Sequence, residues 1–293
     1  MEIKTCAKIN LFLDILKKRA DSYHEVNMIM QSIDLHDKIT ITETNKKGIE
    51  IKSTKLSIPI EKNIAYISAK NFFLHHNIVD YSIKIKIEKN IPVCGGLAGG
   101  SADAAAVLIG LNELFKTNLS KKELSKIGRE IGADVPFCIQ GGTMLAKGIG
   151  TTLFPLSDLP KCYIILVKPD FDVSTKDSYN KIGCHLNKDF KNINEMISAV
   201  NDKDIDKISG LLYNVFEKVV QNKEIKEIKK NILDRHALNS CMSGSGPTVF
   251  GIFKDFDLAV YCKKILSLKY KDVFLAKPTN ESVFISEYGN IFN

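Results

Sequence analysis

The segment Ile91-Pro92-Val93-Cys94-Gly95-Gly96-Leu97-Ala98-Gly99-Gly100-Ser101-Ala102-Asp103-Ala104-Ala105-Ala106 sets four glycines between a strand-like run and an alanine-rich, helix-forming one. Glycines let backbone N–H groups turn toward a ligand with no Cβ in the way. A helix opening directly after them adds an aligned dipole and free N–H donors, so the combination suits an anion, typically a phosphate. The spacing excludes two familiar phosphate loops. Gly95 and Gly100 have the separation of GxxxxGK[ST], but Ser101 stands where lysine is required, and Ala98 breaks GxGxxG if Gly96 is taken as its first glycine.

Two further places could do chemistry. Asp134 lies just past a helical run, in Gly132-Ala133-Asp134-Val135-Pro136, where a carboxylate could orient or accept a proton; taken alone it is an ordinary turn aspartate. Lys8 and Asn10 fall on one face of an alternating segment whose other face carries Ile9, Leu11, Leu13 and Ile15, a period of two that predicts a strand. By itself Lys8 reads as a solvated edge-strand lysine.

The elements that must position these residues are legible in outline. Strands are predicted at 37–42, 49–52, 81–88, 161–168, 247–253 and 281–286, and helices at 62–76 and 101–115. Ser120 and Glu123 form a capping box for a helix ending at Gly132. Two or three helices fill about 190–234, and another lies between the last two strands. Strands dominate early and helices cluster later, so the expected class is α+β rather than repeated βαβ units. A length of 293 residues suggests about two domains, with a division at 157/158, beside Pro155 and Pro160.

Composition narrows the function. With 44% apolar and 26% charged residues, the chain is an ordinary globular protein. Its seven cysteines are odd in number and include no CxxC pair, which predicts reduced thiols rather than disulfides or a zinc site. His24-Glu25 opens like HExxH, but Met28 occupies the closing position. The net charge of +7 is scattered, and the Lys223–Lys230 run is interleaved with glutamates, as on a solvated helix face. Tryptophan is absent and no basic–aromatic signature appears, so no nucleic-acid partner is expected. No run nears the roughly 20 apolar residues of a membrane helix, and residues 1–21 lack a cleavable leader pattern, so no membrane partner and a cytoplasmic setting are expected. Nothing in the pattern specifies an oligomeric state.

Three motifs together resemble one family, the GHMP kinases. They are Lys8-Ile9-Asn10-Leu11-Phe12-Leu13, the loop from Pro92 through Gly96-Leu97 and Gly99-Gly100-Ser101, and Met242-Ser243-Gly244-Ser245-Gly246-Pro247-Thr248-Val249-Phe250. The resemblance implies a two-domain kinase fold with ATP and acceptor in the cleft between domains. Arg19-Ala20-Asp21-Ser22-Tyr23-His24, Gly132–Phe137 and Val173-Ser174-Thr175 resemble the members that phosphorylate a cytidine diphosphate-linked polyol in the non-mevalonate isoprenoid pathway. The Tyr23-His24 pair argues against homoserine- and mevalonate-type members. Retention of both Lys8 and Asp134 argues against a non-catalytic nucleotide-binding protein.

By this resemblance Lys8 and Asp134 are catalytic: Asp134 is base or orienter, and Lys8 its electrostatic partner. Asn63 and residues Pro92, Val93, Cys94, Gly95, Gly96, Leu97, Ala98, Gly99, Gly100, Ser101 and Ala102 bind ATP. Asn10, Tyr23, His24, Thr175 and Tyr179 bind the acceptor, with its cytosine between Tyr23 and Tyr179 and its edge on His24. Mg²⁺ is implied as the partner of ATP. Ser101 is its nearest candidate ligand and Asp103 a second, though Asp103 is equally explained as an acid in a helix's first turn. Ala98 stands where the family frequently has glycine.

Overall fold

The computed structural model describes residues 1–54, 59–182 and 192–286. The N-terminal half builds most of one mixed sheet. It begins with β1 (Glu2–Lys18) and β2 (His24–Glu43), a long antiparallel hairpin, followed by β3 (Gly48–Ser53), α1 (Ile64–His75), β4 (Ser82–Glu88), α2 (Gly99–Leu114), α3 (Lys121–Ile131), α4 (Val135–Gln140), β5 (Thr143–Lys147) and β6 (Thr152–Pro155). After β7 (Tyr163–Lys168) come α5 (Thr175–Ile182), α6 (Ile193–Asn201), α7 (Ile205–Gly210), β8 (Tyr213–Asn214) and α8 (Lys223–Leu233). The described part closes with β9 (Asn239–Met242), β10 (Val249–Phe253), α9 (Phe256–Leu266), β11 (Asp272–Ala276) and β12 (Val283–Ser286).

The first sheet runs β12-β1-β2-β4-β3, with β5 on β2, β6 on β5 and β8 on β1; the second runs β11-β7-β10-β9. Thus β8 and β12, both late in the chain, lie directly on β1. The β2–β4 pairing follows from sequence alternation. Ile39↔Ile87 and Ile41↔Ile85 meet on the buried face, and Lys38↔Glu88 and Thr40↔Lys86 on the other. The mixed α+β architecture agrees with the expectation from element order.

One expectation changes. Taken alone, Lys8 reads as a solvated edge-strand lysine, but Lys8, Asn10, Phe12 and Asp14 are all buried, as are Ile9 and Leu13. The strand lies between β2 on one side and β12 and β8 on the other, and α2 packs on it. A charged lysine buried in a central strand needs partners, and its partners define the site below. α3 has the expected capping box, with Ser120 and Glu123 satisfying each other's backbone N–H.

Candidate active site

The phosphate loop leaves β4, turns through Pro92–Ala98 and enters α2. Ala98 takes the N-cap position of α2 with φ 58°, a left-handed conformation that explains why glycine is frequent there in the family. The first-turn amides of Gly99, Gly100 and Ser101 precede any possible intrahelical acceptor, and with the helix dipole they present donors to an anion. The loop edges a cavity of about 420 Å³. Lys8, Asp134, Thr175, Tyr179 and Ser101 line the same cavity, although their segments span most of the chain.

The loop is clamped from the C-terminal half. Gly96, at φ 74°, lies against the turn 243–246, and a Cβ there would run into the Ser243 carbonyl oxygen. Ser243 Oγ donates to Gly96 O (3.1 Å), and Lys8 N donates to Leu97 O (3.1 Å). Thr175 Oγ1 and Ser245 Oγ share a hydrogen bond of 2.8 Å on the cavity wall. Gly96→Ala is therefore expected to combine left-handed strain with a backbone clash, costing about 1–3 kcal/mol. ADP titration should read a tenfold or greater loss of affinity; unchanged affinity would disprove the interlock.

Lys8 Nζ donates to Asn10 Oδ1 (2.7 Å) and lies 3.8 Å from Asp134 Oδ2, an ion-pair distance beyond a hydrogen bond. Asp134 occupies the N-cap position of α4 without a capping bond, and its side chain is 34% exposed, so its oxygens are available to a ligand. Asn10 is fully buried and meets Lys8. Its placement makes it an anchor for the lysine, where direct acceptor contact was expected.

At the other end, Tyr179 lines the cavity with its ring 5.1 Å from His24 and 4.9 Å from Phe216. His24 Nε2 is buried and has no hydrogen-bond partner among the described residues. Burial, then the charge of Lys18, lower the His24 pKa and favour the neutral ring. Burial, then the charge of Asp134, push the Tyr179 phenol up to about 12, keeping it an O–H donor. Tyr23 is 58% exposed; the ring against Tyr179 is that of His24, tilted by 37°. Asn63 is buried and caps α1, its Oδ1 accepting from Ala65 N (3.0 Å). Neither Asn63, Tyr23, His24, Asn10 nor buried Ala102 lines the cavity itself.

Asp103 is engaged through one oxygen, while its Oδ1 has no hydrogen-bond partner among the described residues. It is buried beneath the loop, where Lys89 Nζ donates to its Oδ2 (2.8 Å) and also to Asp37. Asp37 Oδ1 in turn accepts from the backbone N–H groups of Asn90 and Ile91. Lys89 lines the cavity, as do Phe216 and Ser245. These three were not singled out beforehand. Ser245 was within reach because it belongs to the third motif, and Lys89 because it continues the Ile83, Ile85, Ile87 spacing of buried residues, while Lys86 falls on the exposed side.

Residues 43–142 match the family described as GHMP kinases N terminal domain, and residues 187–271 match GHMP kinases C terminal. The 4-diphosphocytidyl-2-C-methyl-D-erythritol kinase of Clostridioides difficile is 45% identical over 97% of each chain. That of Caldicellulosiruptor bescii is 44% identical over 97% of this chain and all of its own. Among solved structures, a 4-(cytidine 5'-diphospho)-2C-methyl-D-erythritol kinase superposes with a TM-score of 0.81 at 26% identity, covering 95% of this chain and 99% of that one. A homoserine kinase from Cytophaga hutchinsonii, at 21% identity and TM-score 0.75, shares the fold, covering 97% of each chain.

Proposed function

Because the chain belongs to the GHMP kinase family, we propose that it transfers the terminal phosphoryl group of ATP to the 2-hydroxyl of 4-diphosphocytidyl-2-C-methyl-D-erythritol, a step of the non-mevalonate route to isoprenoid precursors. One observation supports this most directly: Lys8, Asp134 and the phosphate loop surround one cavity, and its far wall, Tyr179, packs against a histidine whose buried nitrogen has no partner among the described residues. The halves divide at 157/158 in this reading, with β8 and β12 crossing back to the first sheet.

The amides of the α2 first turn and the loop bind the phosphates. The acceptor oxygen bonds to the γ-phosphorus as the bridging P–O bond to ADP breaks. Asp134 orients or takes the hydroxyl proton. Lys8, fixed by Asn10, keeps positive charge beside that oxygen and beside Asp134. His24 Nε2 pairs with the cytosine edge, and the exposed Tyr23 closes on the base face.

Among the described residues no group of three His, Cys, Asp or Glu is placed to hold a metal ion, and Ser101 offers one hydroxyl at the cavity wall. That sparse donor set fits Mg²⁺, which keeps several waters and binds largely through substrate phosphates. Ser101 would hold it, and bound there it would neutralise charge on the β and γ oxygens. No helix among the described residues is long and apolar enough to cross a membrane. A reducing cytoplasm suits the six described cysteines, all free thiols.

A coupled ADP-release assay tests the reading, with the cytidine-linked acceptor set against methylerythritol phosphate, homoserine and mevalonate. Efficient turnover of any acceptor lacking cytidine would overturn it. In the same assay Tyr23→Ala should raise the acceptor KM roughly 10- to 100-fold, since stacking contributes about 1–3 kcal/mol per base. The ATP KM should stay unchanged; equal rises in both would argue against a base-stacking Tyr23.

A further inference from the structure

Asn214 lies outside the cavity and is 3% exposed, yet its amide reaches two residues of the site wall, Phe216 and Gly244. Its Nδ2 donates to Met242 O (2.6 Å) and Gly244 O (2.8 Å), and its Oδ1 accepts from Phe216 N (2.9 Å). Through β8 it pairs in parallel with Leu13 of β1, the strand that carries Lys8. Leu13, Phe216 and Gly244 all line the cavity. Gly244 in turn packs on Gly96 of the phosphate loop, where a Cβ on Gly244 would stand 2.9 Å from Gly96 O.

We infer that Asn214 is a positioning residue for phosphoryl transfer: its two N–H donations hold the 242–246 turn in register with β1, and so hold the phosphate loop in register with Lys8. An amide is the group this position requires, because it faces two carbonyls and one N–H at once. Without the donors, two buried carbonyls lose partners. The turn is then free to shift, and displacement of about 1 Å in a reacting geometry costs on the order of 10²-fold in rate.

This inference rests on the proposed kinase reading, so wild-type turnover is measured first; its failure would count against that reading alone. The test then compares Asn214→Ala, Asn214→Asp and Asn214→Ser. Aspartate keeps the shape but replaces the amide donor with a carboxyl oxygen, and serine keeps one small donor. For folded enzyme, the alanine and aspartate variants should lose about 10- to 100-fold in kcat, and ADP affinity by calorimetry should fall about tenfold. The acceptor KM should move less than threefold, and serine should recover part of kcat. Wild-type kcat and ADP affinity in folded Asn214→Ala, or near-normal activity in Asn214→Asp, would overturn the inference. So would failure of all three variants to fold, which would make the residue structural only.

Discussion

Replacing Asp134 with asparagine should lower kcat by about 10²- to 10⁴-fold, the usual contribution of a positioned acid–base group, while ADP affinity changes less than threefold. The substitution is close to isosteric, and asparagine is as good an N-cap residue as aspartate. Asp134 makes no capping bond in any case, so α4 should be undisturbed. What is removed is the carboxylate 3.8 Å from Lys8 Nζ, the one acid of the described residues lining the cavity. The ammonium of Lys8 then loses its counter-charge but keeps Asn10. Single-turnover phosphoryl transfer and ADP calorimetry on the same preparation separate chemistry from binding. Near-normal turnover would remove Asp134 from the mechanism.

Lys89→Met should cost about 3–5 kcal/mol of folding free energy, the range for breaking a buried ion pair on one side only. The lysine serves two buried carboxylates, Asp37 and Asp103, and its removal leaves both without a cation. Burial alone would lower the Lys89 pKa, but Asp103 and Asp37 outweigh it and raise it, so the ammonium stays charged. One cation cannot neutralise two carboxylates. Burial first, and the negative charge of Asp37 against the pull of Lys89, push the Asp103 carboxyl up. A carboxyl raised in the folded state retains a proton that the unfolded chain has released. Its contribution is therefore full below the ordinary carboxylate range and is lost as pH rises through the raised value. Without Lys89 the Asp103 carboxyl rises further, so the deficit should be smaller at pH 5.5 than at pH 8. Urea unfolding at the two pH values measures this; a deficit under 1 kcal/mol at pH 8 would mean that the triad is solvated.

The sequence was most informative where one residue row carries one signal. The capping box fixed the start of α3, and the Ile–Lys alternation gave β4 almost to the residue. Residues 24–36 did not read as strand because Val26, Met28, Ile29 and Met30 are all buried, which erases the period-two pattern of a one-sided strand. The phosphate loop was legible because its glycines and the following helix are contiguous. Lys8, Asp134, Thr175 and Tyr179 were reached through the motif resemblance; Phe216 was not, because it joins the cavity only through long-range packing. Lys89 stands in step with the buried Ile83, Ile85 and Ile87, opposite to Lys84 and Lys86, but the partner that makes its burial tolerable, Asp37, lies 52 residues away.

The placement of β8 and β12 on β1 has a consequence for how the protein is made. β1 leaves the ribosome first, and its edge partner β12 among the last of the described elements. Until then, the β1 edge that β8 and β12 will cover is unpaired, and an open strand edge can pair with other chains. Because contacts of such long sequence separation form slowly, nascent chains halted before residue 283 should expose that edge and depend on chaperones. The nucleotide pocket, whose lining runs from Lys8 to Ser245, should be born only after the turn that carries Ser245 has been made.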